Sequence, residues 1–382
     1  MNQKLEKYLL KVIRGHKQGF VAKVVLLICT LLANIYYLGI KIRSKFYDWG
    51  IKRSEELPCT VISVGNITVG GTGKTPVTQL LARKFKERGL RVAILNRGYK
   101  ADFEDEIGLV SDGEKIFMTP EEAGDEAFMM AQSLPEVPVI IGSDRVITGR
   151  YAYEKFDTDI LLLDDGFQHW PLARDVDVVV VDATNPFANG RLIPRGTLRE
   201  PLSSLERADI FFLTKVDQVS RGKINDICAK LNDHNPMALI FETAHSPTYL
   251  RTLGENVDLD SELDLTGKRV MAVSGIGNPQ SFEQTLRDLG ADLVDQFRFQ
   301  DHHKYQDEEV IDIFSKAVEQ NVELIVTTEK DAVSMSPELV DKIKGQAIDF
   351  KVLGITVDVL TEEVRFEKLL SKMEGEGWKA RE

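Results

Sequence analysis

The chain has 382 residues and a formal net charge of −12, from 48 Lys+Arg against 60 Asp+Glu. Its 43% hydrophobic and 28% charged residues are an ordinary globular mixture, which excludes collagen-like, coiled-coil, low-complexity and disordered classes. The acidic balance argues against a general nucleic-acid binder, and three scattered cysteines (Cys29, Cys59, Cys228) without a Cys-x-x-Cys pair indicate neither a disulfide framework nor a zinc site.

Charge is unevenly spread. Residues 1–53 carry eleven Lys/Arg and two acids, so a basic arm precedes an acidic body and is expected to meet something anionic. Within the arm, Val24 to Ile40 is uncharged, with Lys23 before it and Lys41, Arg43 and Lys45 after it. These seventeen residues fall short of the roughly 20 that a spanning helix uses, and Thr30 and Asn34 weaken the run further. Basic residues on both flanks favour a helix that dips in from one face over one that crosses. A secretory signal with a poor cleavage site at Leu38-Gly39-Ile40 and a buried core helix are weaker readings. The expectation is a monotopic, interfacial helix whose Lys and Arg reach lipid headgroups, with Tyr36, Tyr37, Tyr47 and Trp49 near the boundary.

From residue 58 onward, short apolar runs alternate with helix-length segments, the pattern of βαβ units and a mainly parallel sheet. The first runs are Val61 to Val64, Val92 to Leu95, Val139 to Ile141, Ile160 to Leu163, Val176 to Val181, Ile210 to Leu213 and Ala238 to Phe241. Most are continuous, as strands covered on both faces should be. A second, shorter set comprises the run from Val270, Leu324 to Val326 and Phe350 to Ile355, set apart by the Pro-, Gly-, Asp- and Ser-containing stretch 242–267. The predicted organisation is α/β throughout: arm 1–53, a P-loop-type domain 54–245, a linker 246–268 and a second, smaller α/β domain 269–382.

The run Val61 to Val64 leads into Gly65-Asn66-Ile67-Thr68-Val69-Gly70-Gly71-Thr72-Gly73-Lys74-Thr75-Pro76, followed by an amphipathic segment, Val77 to Arg88. Strand, glycine loop and helix together place backbone N–H groups and a helix N-terminus around an anion. Residues Thr68 to Thr75 are the predicted phosphate cradle, with Lys74 on the β- and γ-phosphates and Thr75 on Mg2+. The strict Walker A pattern wants Gly at position 68, so the match is to the GGxGK[ST] core. The run Ile160 to Leu163 ends in Asp164-Asp165, a carboxylate pair delivered as in Walker B and expected to serve the metal. Gly124-Asp125-Glu126 reads, by spacing alone, as a helix-capping turn.

Taken together, GNITVGGTGKTP, NRGY (Asn96 to Tyr99), GDE (Gly124 to Glu126), LLLDDGFQH (Leu161 to His169), PRGTLREP (Pro194 to Pro201) and DHHKY (Asp301 to Tyr305) resemble the tetraacyldisaccharide 4′-kinases of lipid A biosynthesis. The resemblance implies transfer of the ATP γ-phosphate to the 4′-hydroxyl of a tetraacylated glucosamine disaccharide 1-phosphate, giving lipid IVA at the cytoplasmic face of the inner membrane, with no obligate protein partner. It also implies Asp125 as the base or aligner for the hydroxyl, supported by His302 or His303, with the former preferred. Asp164, Asp165 and Glu126 would organise Mg2+ directly or through water, Arg199 would stabilise the transferring phosphoryl group, and Tyr99 would be an adenosine-side or loop contact. The alternative is a membrane-associated P-loop switch ATPase of the partitioning type, but its signature lysine position is Val69 here. Thr214-Lys215-Val216-Asp217 resembles the NKxD element of GTPases, against which stands a plain strand end and turn.

Overall fold

The computed structural model describes residues 12, 13, 17, 19–99, 101–255, 263–300 and 303–374. Its strands, in chain order, are β1 (Thr60–Gly65), β2 (Val92–Asn96), β3 (Gly108–Ser111), β4 (Val139–Ile141), β5 (Ile160–Asp164), β6 (Val176–Asp182), β7 (Ile210–Thr214), β8 (Leu239–Thr252), β9 (Arg269–Ser274), β10 (Asp292–Arg298), β11 (Leu324–Thr328) and β12 (Asp349–Val359). The chain divides into two compact units, one of Met1–Lys74, Leu162–Thr243 and Leu360–Glu382, the other of Thr75–Leu161 and Ala244–Val359.

In the first unit, β1, β6, β7 and the start of β8 pair in parallel in that order. Strands β6 and β7 are buried at every position, as their predominantly apolar character requires, and Asp177, the one polar residue inside β6, is paired with Arg174. The register sets Gly65 beside Val179 and Asp182 beside Thr214, so the carboxyl ends of the strands deliver β1's loop and the Asp182 side chain to one edge. One face is filled by Phe167, Phe187, Leu205, Phe211 and Leu213 with Ile224, Ile227 and Leu231 of the helix Arg221–His234. On Phe212 and Phe241, which stack at 5.7 Å, Phe366 of the helix Glu363–Glu374 closes edge-on at 6.2 and 5.8 Å.

The arm contributes one continuous helix, Phe20–Asp48, of 29 residues and mean hydropathy 2.0 over its most apolar stretch, long and apolar enough by length and composition to cross a membrane. Its buried residues, Ala22, Cys29 and Ala33, recur at helical spacing, while Leu27, Leu31, Ile35 and Leu38 are exposed.

In the second unit, β2 and β4 are parallel, and the short β3 adds to β4 in antiparallel sense. A further parallel group runs β10-β9-β11-β12. Alternation along β9 sends Met271 and Val273 to one core, with Ile313, Phe314, Leu339 and Phe350, and Val270 and Ala272 to the other, with Phe282 and Leu286. Strand β10 escapes the sequence reading because it lies at an edge and is only half buried, so DLVDQFR lacks a continuous apolar run. Strand β8 also runs on to Thr252, well beyond Phe241 where the apolar run stops, because its second half is only partly buried and needs no such run.

The Thr214-Lys215-Val216-Asp217 element is a strand end followed by a short 3-10 turn, Val216–Gln218, with Lys215 in the left-handed region at φ 57°. It also braces the glycine loop. Thr214 Oγ1 donates to the Thr72 carbonyl (2.8 Å), and buried Lys215 donates to the Gly71 carbonyl (3.3 Å) while ion-pairing with Asp182. These ties hold two loop carbonyls outward, which is compatible with loop amides facing an anion. Because Lys215→Met leaves Asp182 without its cation in a buried setting, it is expected to cost about 3–5 kcal/mol in stability. Denaturant unfolding of the variant checks this, and wild-type stability would show the pair to be dispensable.

Candidate active site

Where β1 meets the loop, Gly65 lets Phe167 approach closely: a Cβ there would lie 2.5 Å from Phe167 Cβ. Gly70 and Gly73 take φ of 120° and 92°, a region closed to most side chains, so this stretch is glycine-rich for conformational reasons. The loop's outer edge is held by residues 197–199: Thr68 bridges Leu198, Val69 N–H donates to Thr197 (2.7 Å) and Arg199 N–H donates to Ile67 (2.7 Å). Asn66 Nδ2 donates to Thr72 Oγ1 (2.9 Å), tying the start of the loop to its tip. Lys74 then opens the helix Lys74–Glu87, where Thr75 is buried in the first turn.

Asp164 ends β5, almost wholly buried, and Asp165 follows in the left-handed region at φ 56°. Asp165 Oδ1 accepts from Arg199 Nη1 at 2.7 Å and lies 3.8 Å from Lys74 Nζ. The structure therefore brings Lys74, Asp165 and Arg199 together beside the loop, three residues from three separate sequence motifs. Arg199 Nη1 also reaches Asn66 Oδ1 at 3.4 Å. The apolar helix touches this region at two points: Tyr36 Oη donates to the Arg199 carbonyl (2.8 Å), and Arg43 Nη2 donates to the Gln168 carbonyl (3.1 Å).

The other predicted catalytic group lies in the second unit. Thr119 opens the helix Pro120–Ala123 with a capping box, Gly124 breaks it at φ 81°, and Asp125 and Glu126 form the first turn of the helix Asp125–Ser133. A Cβ on Gly124 would stand 2.8 Å from the Tyr99 carbonyl, so the GDE turn and the NRGY segment are in close approach that only glycine permits. Tyr99 itself is 59% exposed. Asp125 lines a cavity of about 690 Å3 together with Glu121, Lys304, Tyr305, Gln306 and Lys342. Glu126 lies 4.0 Å from Lys330, on the helix Glu329–Val333 that packs against the helix Asp125–Ser133.

Asp301 and His302 lie outside the described residues. His303 stacks on Phe299 (4.5 Å, 17° between planes), meets Tyr305 edge-on at 5.1 Å and pairs through Nε2 with Glu309 at 2.8 Å. Glu309 also accepts from Gln306 N–H, capping the helix Asp307–Glu319. Behind this loop, Asp331 accepts from Tyr305 (2.9 Å), Thr328 (2.6 Å) and the Gly275 amide (2.8 Å). Burial pushes both the Asp331 carboxyl and the Tyr305 hydroxyl above their ordinary ranges. Asn66, Thr214, Lys215, Glu309 and Asp331 were not singled out from sequence as site residues; each acts by holding a neighbour, and Asn66, Thr214 and Lys215 stood in quoted motifs without a role of their own.

A family model described as tetraacyldisaccharide-1-P 4′-kinase (LpxK) matches residues 25–374. A tetraacyldisaccharide 4′-kinase of Halothermothrix orenii is 41% identical over 94% of this chain and 96% of its own length, and one of Syntrophus aciditrophicus is 41% identical over 92% and 94%. Among solved structures, LpxK from Aquifex aeolicus in complex with ATP superposes with a TM-score of 0.69 at 31% identity, covering 90% of this chain and 98% of that one. With the glycine loop, the carboxylate pair and the GDE turn all falling inside the matched span, the chain belongs to the tetraacyldisaccharide-1-P 4′-kinase family, LpxK.

Proposed function

We propose that this chain transfers the γ-phosphate of ATP to the 4′-hydroxyl of tetraacyldisaccharide 1-phosphate, as the names of its relatives describe. The observation that supports this best is the Lys74–Asp165–Arg199 cluster beside the glycine loop, in a chain that the family covers from residue 25 to 374. Loop amides of residues 68–75 cradle the phosphates, Lys74 neutralises the β- and γ-oxygens, and Arg199 faces the charge on the transferring group. The acceptor oxygen attacks phosphorus, the bond to the ADP oxygen breaks, and the hydroxyl proton passes to Asp125. Tyr99, exposed beside the GDE turn, is assigned to the adenosine side.

Thr75, Glu126, Asp164 and Asp165 offer hydroxyl and carboxylate oxygens only, the donor chemistry that Mg2+ prefers. An ion at such a place is held by one or two carboxylates together with substrate phosphates. When bound, Mg2+ would offset phosphate charge.

His303 is engaged with Glu309 and Phe299, so His302 is the histidine we assign to Asp125. The exposed leucines and isoleucines of the helix Phe20–Asp48, with its flanking Lys and Arg, support insertion into the cytoplasmic face of the inner membrane, where an acylated substrate resides.

The direct test is transfer from γ-labelled ATP to tetraacyldisaccharide 1-phosphate in mixed micelles; ATP hydrolysis without labelled lipid would overturn the kinase reading. Asp125→Asn should lower kcat by about a hundredfold to ten-thousandfold with the KM for ATP unchanged, whereas Lys74→Ala should also raise that KM. His303→Ala should keep most of the rate and lose thermal stability, and His302→Ala the reverse; a folded His303→Ala as slow as Asp125→Asn would transfer the role to His303. Paired Leu31→Asp and Ile35→Asp substitutions, at about 2.5–3.5 kcal/mol each in a bilayer, should release the protein from anionic vesicles in sedimentation while activity on detergent-dispersed substrate is retained.

A further inference from the structure

Within the uncharged run Val24 to Ile40, two hydroxyl-bearing side chains, Thr30 and Tyr36, behave differently. Thr30 donates its hydroxyl to the Leu26 carbonyl of its own helix (2.7 Å), as a hydroxyl in apolar surroundings usually does. Tyr36 instead donates to the carbonyl of Arg199, 163 positions further along the chain, at 2.8 Å. The backbone of Arg199 is thereby held on both sides of its Cα: its N–H by the Ile67 carbonyl of the glycine loop (2.7 Å), its C=O by Tyr36. Fixing both groups fixes the direction in which the Arg199 side chain leaves the backbone, and that side chain ends on Asp165 and Asn66.

A second tie converges on the same point. Arg43 donates to the Gln168 carbonyl (3.1 Å) and lies over the Trp170 ring at 5.5 Å, and Gln168 Nε2 donates to the Asn66 carbonyl (2.9 Å). Tyr47 packs edge-on against Trp170 at 5.3 Å, so the helix is registered against this surface along three of its turns.

We propose that Tyr36 is a positioning residue for Arg199, so that the apolar helix contributes to phosphoryl transfer through the aim of one guanidinium as well as through its attachment to lipid. This inference rests on the role given to Arg199 above. Small misplacements of a group that acts on the transition state lower the rate without weakening ground-state binding.

Tyr36→Phe removes the hydroxyl and keeps the ring. In mixed micelles it should lower kcat about tenfold, the equivalent of one neutral hydrogen bond expressed in the transition state. The KM for ATP, vesicle sedimentation and the thermal unfolding midpoint should stay at wild-type values, a split that a merely structural contact would not give. In an Arg199→Ala background the same substitution should cause no further loss. Wild-type kcat in Tyr36→Phe, or losses that multiply with those of Arg199→Ala, would overturn the inference while leaving the role of Arg199 intact. Wild-type kcat in Arg199→Ala would remove that role, and this inference with it.

Discussion

Lys74 and Arg199 carry the same charge and are both directed at one place, and like charges gathered without an anion repel one another. Asp165 resolves this. Its Oδ1 lies 2.7 Å from the guanidinium and 3.8 Å from the ammonium, so the site holds a counter-charge of its own. The carboxylate reaches that position from a left-handed backbone at the end of a buried strand, a conformation an aspartate tolerates better than most residues. Around this ion cluster, the loop glycines, the brace on Gly71 and Thr72, and the segment 197–199 keep donors in place in advance, which is what electrostatic catalysis requires.

The second unit solves a related problem by different means. As the proposed base for the acceptor hydroxyl, Asp125 would need a fixed direction and an open side. The first comes from a helix start that Gly124 forces at φ 81°, and the second from the cavity that Asp125 lines. Asp331 holds Tyr305 from behind, satisfied by that tyrosine, a threonine and a backbone amide. A buried carboxyl with three donors makes a stiff support, since losing any donor leaves it partly unsatisfied.

The glycine loop and the buried strands were legible in the chain because backbone conformation and burial constrain composition. A loop that must turn at positive φ is written in glycine, and a strand covered on both faces is written in Val, Ile and Leu, as in β6 and β7. What escaped reading obeys weaker rules. Strand β10 and the second half of β8 are half exposed and need no apolar run, and β3 is only four residues long. The pairing of Arg199 with Asp165 and of Tyr36 with Arg199 depends on which distant segments the fold brings together. GDE looked like a turn at a helix start because it is one, with Gly124 at the N-cap position; that Asp125 also lines a cavity is not written in the spacing.

The helix Glu363–Glu374 groups with the first unit, although the strands that precede it in the chain belong to the second. Phe366 closes on Phe212 and Phe241, the Leu360 amide donates to the Glu242 carbonyl, and Thr361 Oγ1 accepts from the Glu242 amide. A ribosome delivers a chain from its N-terminus, so β1, the glycine loop and β5 to β7 all emerge before the side chain that completes their core. More than a hundred residues of the second unit are synthesised in between. The nascent protein thus spends that interval with the Phe212–Phe241 surface uncovered, a vulnerable period for aggregation that ends only when the final helix is made.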